Sequence, residues 1–251
     1  MKYRWLELSE HIASALKLVA QIMKEIPHVR KEFRLIVDQI YLIGLQSLPL
    51  IFVTAISTGM VMALQFGNGL ARFGGIPYVP RLVTVSILRE MGPVFTSLML
   101  AARVGAGLAA EIGSQVVTQQ IDAYWALGSS PIRKVVLPRI IALFVAVPIL
   151  CAFSNIISIL GVYIISVFQL NLDGPYTLSK IGDGFTLENF SSGFFKTFFF
   201  ALIIGLSSCY FSLRVSEGTR EVGIATTKAV VTASVLILVG DFLLTKLFLL
   251  L

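Results

Sequence analysis

Between residues 42 and 251 the sequence falls repeatedly into apolar stretches of twenty or more residues, and no other feature restricts the fold so tightly. Such a length lets an α-helix cross about 30 Å of hydrocarbon, where each backbone N–H and C=O must be satisfied within its own segment. Leu42 to Phe66, Leu82 to Ala110, Ile140 to Leu170, Gly193 to Leu213 and Ile224 to Leu250 therefore read as five membrane-spanning helices. Composition agrees: 56% of residues are hydrophobic and 14% charged, against roughly 25% charged in soluble domains. The expected fold is all-α integral membrane, with one transmembrane domain over residues 42–251 and no separate soluble domain.

Residues 1–41 are amphipathic. Leu8, Ile12, Leu16, Val19, Met23 and Ile26 recur at helical spacing until Pro27 interrupts them. With Trp5 and several Lys and Arg, this segment reads as an interfacial helix in the headgroup plane; a helix packed on a partner is the other reading. Nothing in Met1 to Glu10 resembles a cleaved signal, so insertion is expected to rely on the internal spans. Pro49 breaks the first span near its start, and GNGLARFGGIPYVP reads as a polar turn. Glu111 to Arg139 reads as a polar connection containing a short helix that stops before GSSP. Asn171 to Ser192 reads as a loop, and Arg214 to Gly223 as a short one.

Orientation follows from Lys and Arg alone. Lys2, Arg4, Lys17, Lys24, Arg30, Lys31, Arg34, Arg133, Lys134, Arg139, Arg214, Arg220 and Lys228 make thirteen on one side, against four on the other: Arg72, Arg81, Lys180 and Lys246. The richer side is expected to be cytoplasmic, with the N-terminus there and the C-terminus outside. The net charge of +6 is spread over short loops without an aromatic platform, so anionic lipid headgroups rather than nucleic acid are the expected partners.

Ionisable groups inside a span cost ~2.5–3.5 kcal/mol each at mid-bilayer, so they need partners or water and mark functional sites. Arg89, Glu90, Lys196 and Asp241 are four such groups. At ~1.5 Å rise per residue they lie roughly 10, 10, 5 and 15 Å in from the outer ends of their spans. Their charges cancel, so three helices could converge on one polar site, with cross-helix pairs such as Glu90 with Lys196 or Arg89 with Asp241. Two readings stand: structural ion pairs that glue helices together, or the polar lining of a cavity, which gives hydrocarbon a reason to retain four charges at one level.

Gly105, Ala109 and Gly113 repeat every four residues and form a smooth face for close helix packing. Arg103 and Glu111 sit at the inner end, near enough to the headgroups to snorkel. Cys151 and Cys209 fall in apolar runs, where a free thiol behaves as a small hydrophobe. His11 and His28 read as solvated. No nucleophile–base pattern, metal-ligand spacing or GxxxxGK[ST] loop is present, so no catalytic residue, metal or cofactor is expected in this chain. A pump built on it would need a separate ATPase, docked on QQIDAYWALGSSPIRKVVLPR (Gln119 to Arg139), where Ile121, Tyr124, Trp125 and Leu127 supply apolar contact and Gly128 with Pro131 stop the helix. A simple interfacial loop is the alternative.

SILREMGPV, AARVGAGLAAEIG, QQIDAYWALGSSPIRKVVLPR, GFFKTFFFA and LVGDFLLT, in this order and separation, resemble the MlaE/YrbE permease family of ABC lipid transporters from about Pro49 onward. The resemblance implies a permease homodimer in the bacterial inner membrane, two cytoplasmic ATPase subunits that bind the ATP, and a periplasmic MCE-domain lipid carrier. A small cytoplasmic regulatory subunit is a further expected partner. Together they would move phospholipid between inner and outer membranes. It places Arg89, Glu90, Lys196 and Asp241 at the family's charged positions near the lipid pocket, and Glu111 to Leu127 over its coupling helix, with Glu111, Gln119, Ile121, Asp122, Trp125 and Leu127 as the coupling residues. Gln115, Val116 and Gln119 stand where the family commonly has Met, Arg and Glu, which removes charges from that helix. The competing reading is an ion-coupled secondary transporter or channel, for which the expected internal repeat is not evident. A membrane scaffold would leave the level cluster of charges without a reason.

Overall fold

The computed structural model describes residues 2–216 and 218–250, with side chains for all of these but 2–12, 28, 30, 31 and 249. The readings made on the side chains of Trp5, Leu8, His11, Ile12 and His28 lie outside the described residues. The described chain is helical, and five stretches are long and apolar enough to cross a membrane: Phe33–Ala71, Ile76–Val117, Ile132–Phe168, Leu187–Ser212 and Thr219–Phe248. The chain is a multi-pass, all-α membrane protein. Its residues form two compact units: 1–43, 101–144 and 202–236 in the first, and 44–100, 145–201 and 237–251 in the second.

In the first unit α1 (Lys2–Glu25) and a tight turn of helix (Ile26–Glu32) lead into α2 (Phe33–Gly44). Leu18 and Ile22, one turn apart on α1, are buried in a cluster with Ile112, Ile132, Val136 and Ile140, while Leu16 and Met23 face outward. The N-terminal segment is therefore anchored on its own chain. Two ion pairs add to the anchor: Glu25 with Arg133 at 2.8 Å and the buried Glu32 with Lys134 at 2.6 Å.

In the second unit α3 (Leu48–Ala71) follows a single 3₁₀ turn, with Pro49 in its first turn, where a missing N–H costs nothing. Ile51, Ala55, Gly59, Ala63 and Gly67 are buried at four-residue intervals. The stripe lies against α8 (Leu137–Phe168) so closely that a Cβ on Gly59 would collide with the Ser158 backbone carbonyl, and one on Gly161 would meet the Ile56 carbonyl at 2.6 Å. Ser158 Oγ donates to the Ala55 carbonyl at 2.9 Å across the same crossing. Small residues at this spacing let two backbones approach in the absence of a hydrophobic driving force.

The same rule corrects the turn read at GNGLARFGGIPYVP. Helix α3 runs through Gly67 and Gly69 to Ala71, and the reversal occupies only residues 72–75, with Gly74 at φ 66°. Gly67 is a packing glycine: Leu170 fills the space its Cβ would take. The loop read at Asn171 to Ser192 is likewise corrected, because it contains helix α9 (Gly174–Gly184). Asp173 caps it by accepting from the Tyr176 N–H at 3.2 Å, and Pro175 sits in its first turn. Thr177, Ile181 and Gly184 bury one face of α9 while Asp183 and Lys180 pair on the exposed side at 2.9 Å. That hydrogen bond and the Lys180 charge hold the Asp183 carboxyl below its ordinary range.

Candidate functional site

The second span is one helix interrupted by wider turns. Between α4 (Val79–Ser86) and α5 (Gly92–Leu100) lies a π turn, Ile87–Met91, and between α5 and α6 (Ala106–Val117) lies another, Ala101–Gly105. Arg89 and Glu90 stand on the first and Arg103 on the second. Single π turns inside helices concentrate at functional sites because the added residue re-aims the side chains around it.

Glu90 is brought to Lys196 of α10 (Leu187–Ser212) and to Asp241 of α11 (Thr219–Leu250). Lys196 is 1% exposed. Its ammonium donates to Glu90 Oε2 at 2.6 Å, Asp241 Oδ1 at 3.0 Å and Thr245 Oγ1 at 2.7 Å, with the Arg89 carbonyl 3.2 Å away. An ammonium carries three donors, so every one is engaged by protein groups. Thr245 Oγ1 in turn donates to the Asp241 carbonyl at 2.8 Å. The Lys196 side chain reaches this point because Gly193, one turn earlier, lies directly on the Leu88 carbonyl and lets α10 approach the π turn.

Of the pairings expected from sequence, Glu90 with Lys196 is formed. Arg89 with Asp241 is not: Asp241 shares Lys196 with Glu90, and Arg89 instead approaches Asn189 Oδ1 at 3.5 Å. The 100° step of an α-helix does not hold across a π turn, which is why the partner of Arg89 was misread. One ammonium is thus held between two carboxylates, Glu90 and Asp241. Thr245 and Asn189 were missed. Thr245 had a signal, lying one turn after Asp241 on the same face; Asn189 had none.

In the first unit, α7 (Gln120–Ala126) is the short helix expected in the polar connection. It is bracketed by two left-handed residues, Gln119 at φ 58° and Gly128 at φ 69°. Trp125 and Leu127 project outward, 61% and 79% exposed, and Asp122 is also exposed. Ile121 and Tyr124 instead pack on the cluster that holds α1, so the outward apolar patch is narrower than the four residues read from sequence. Glu111 belongs to α6 and pairs with the buried Arg139 at 2.6 Å. Gly105, Ala109 and Gly113 face α10 and α11 of the same chain: Cβ atoms on the two glycines would meet Ser208 Oγ at 3.3 Å and Val222 Cγ1 at 3.1 Å, and Ala109 is fully buried. Cys151 and Cys209 are buried free thiols.

Comparison with known proteins adds a family. A family model described as Permease MlaE matches residues 36–247. The chain is similar to a probable ABC transporter permease protein of Rickettsia bellii, 38% identical over 216 residues that cover 86% of this chain and 83% of that protein. A protein of the same description from Rickettsia felis is 39% identical over 214 residues, covering 85% and 83%. The intermembrane phospholipid transport system permease protein MlaE of Haemophilus influenzae is 35% identical over 223 residues, covering 87% and 84%.

Proposed function

Because this chain belongs to the MlaE permease family, we propose that it is the permease subunit of an ABC transporter that moves phospholipid between the inner and outer membranes. The observation that carries this reading is the division of labour in the charged cluster. Lys196 is saturated by Glu90, Asp241 and Thr245 and acts as the clamp that joins three helices. Arg89, half-buried on the same π turn as Glu90 and bonded to Asn189 Oδ1 at 3.5 Å, offers a planar fork of donors suited to a lipid phosphate. The apolar surroundings take the acyl chains, in a cavity open to the outer leaflet and completed by a second copy of the chain.

ATP is bound and hydrolysed by separate cytoplasmic subunits, which dock on Trp125, Leu127 and Asp122 of α7, with Gln119 as the bend at its start. Ile121 and Glu111 act from within, holding α7 and α6 to the unit that the ATPase pushes. The N-terminus and α7 lie on the cytoplasmic side of the inner membrane, as the thirteen basic residues there favour. The C-terminus is periplasmic, α1 lies at the cytoplasmic headgroups, and an MCE-domain carrier receives or delivers the lipid outside; a small cytoplasmic regulatory subunit completes the assembly.

The test is Arg89→Gln in the purified transporter, scored for co-purified ATPase and for bound phospholipid. A charge-assisted hydrogen bond contributes about 1.5–3 kcal/mol, so retained phospholipid should fall roughly ten- to a hundredfold while the ATPase stays bound. Wild-type levels of phospholipid on the variant would remove Arg89 from the lipid site, and failure of any ATPase to co-purify with the wild type would remove the transporter reading.

A further inference from the structure

The second unit holds a polar cavity that the transport reading does not use. It measures about 10 Å3 and is bordered by α3, α5, α8 and the first and last residues of the π turn, Ile87 and Met91. Hydroxyls line it: Thr54 and Thr58 from α3, Thr96 from α5, Ser154 and Ser158 from α8. Thr54, Thr58 and Ser158 each donate their proton to a backbone carbonyl, at 2.9, 2.7 and 2.9 Å, which leaves their oxygens as acceptors facing the cavity.

Thr96 Oγ1, on the wall of this cavity, has no hydrogen-bond partner among the described residues, and neither has Asn155 Oδ1, which lies behind the wall at Gly92. Their residues are 3% and 1% exposed. Asn155 Oδ1 rests directly on Gly92, itself a wall of the cavity, where the absent Cβ makes the room. Buried polar groups are almost always paired, and hydrocarbon supplies nothing to pair them with. Whatever occupies the cavity must exchange hydrogen bonds with the Thr96 hydroxyl, donate to the hydroxyl oxygens of α3 and α8, and fit a volume of about one water. No carboxylate lines the cavity, so it lacks the charge that a cation would need, and its size excludes a headgroup.

We propose that this cavity is a binding site for a single ordered water, which bonds Thr96 Oγ1 and donates to the hydroxyl oxygens of Thr58 and Ser158, and so ties α5 to α3 and α8 beside the π turn. The site is independent of the transported substrate. Its loss would leave the buried Thr96 hydroxyl unpaired between three helices.

Met91 borders the cavity, and Met99, two turns along the same helical span, does not. Hydroxyl-radical footprinting by X-ray radiolysis, on the full chain in lipid nanodiscs, activates bound water where it sits, and mass spectrometry reads the oxidation of each methionine. Met91 should oxidise severalfold faster than Met99 in the wild type. Thr96→Val, which keeps the shape and removes the hydroxyl, should bring Met91 down toward the rate of Met99, and Thr96→Ser should retain the wild-type rate. Equal rates at Met91 and Met99 in the wild type, or a Met91 rate unchanged by Thr96→Val, would overturn the proposal. If Thr96→Val does not fold, Ser154→Ala with Thr58→Val, which strips acceptors from two other walls, is read by the same two outcomes.

Discussion

Replacing Lys196 by methionine preserves most of the stem and deletes the ammonium. In the folded chain this strands Glu90 and Asp241, both within hydrogen-bond reach of the same nitrogen, and leaves Thr245 Oγ1 without its donor. Removing one partner of a buried ion pair costs about 3–5 kcal/mol because the other charge stays buried and uncompensated, which for a chain of this size is roughly 10 °C in thermal midpoint. Glu90→Gln should cost less, about 1–3 kcal/mol, since Lys196 keeps Asp241 and Thr245. The double variant no longer contains the stranded Glu90 charge, so its loss should be smaller than the sum of the two by at least ~1 kcal/mol. Thermal unfolding of the three variants in one detergent gives the coupling, and mass spectrometry of extracted phospholipid gives lipid content on the same samples. Additive losses, or a Lys196→Met midpoint at the wild-type value, would refute the clamp. Coupled stability with phospholipid unchanged in all three would leave the clamp and refute any share of it in lipid binding.

Gly59→Leu should abolish recovery of folded protein, because its side chain must displace the Ser158 backbone and packed helices yield poorly; size-exclusion profiles matching the wild type would show the α3–α8 crossing to be looser than described. Gly113→Leu should lower the thermal midpoint by an amount worth about 1–3 kcal/mol, since Val222 and Val215 side chains can partly yield; no shift in thermal unfolding would mean the face is not closely packed. Trp125→Ala with Leu127→Ala should leave the thermal midpoint unchanged, as both side chains are exposed, while ATPase co-purification drops; retained ATPase would move the docking site elsewhere. A reporter inserted between Ser129 and Pro131 should read as cytoplasmic and one after Leu251 as periplasmic; the same side for both would break the five-span topology.

The spans were legible because hydrocarbon imposes one strong rule, length of apolar sequence, that needs no tertiary information. Lys196, Glu90 and Asp241 were legible for the same reason: a charge inside such a run requires company. What the sequence concealed were matters of angle and of glycine's double meaning. The π turn at Ile87–Met91 shifts every bearing around Arg89, and nothing in ILREM announces it. Gly67 and Gly69 look like turn residues until Leu170 is found occupying the space beside the first. Helix α9 was hidden by the acidic residues Asp173, Asp183 and Glu188, although Thr177, Ile181 and Gly184 already marked a helical face and Asp173 its cap. Ile121 and Tyr124 turn inward because α1 covers them, a tertiary fact that local pattern does not contain.

The attachments of the N-terminal segment have a kinematic meaning. A body pinned at one point can swivel; pinned at two, it cannot turn without carrying its support along. Glu25 grips Arg133 and Glu32 grips Lys134, the two grips separated by a full stretch of tight helix, and Leu18 with Ile22 seats the same segment on Ile132 and Val136. Residues 18–32 and the stretch that follows α7 are accordingly fastened to each other at three places. Ile121 and Tyr124 of α7 pack on the same cluster, so α7 cannot shift without disturbing the seat of Leu18 and Ile22.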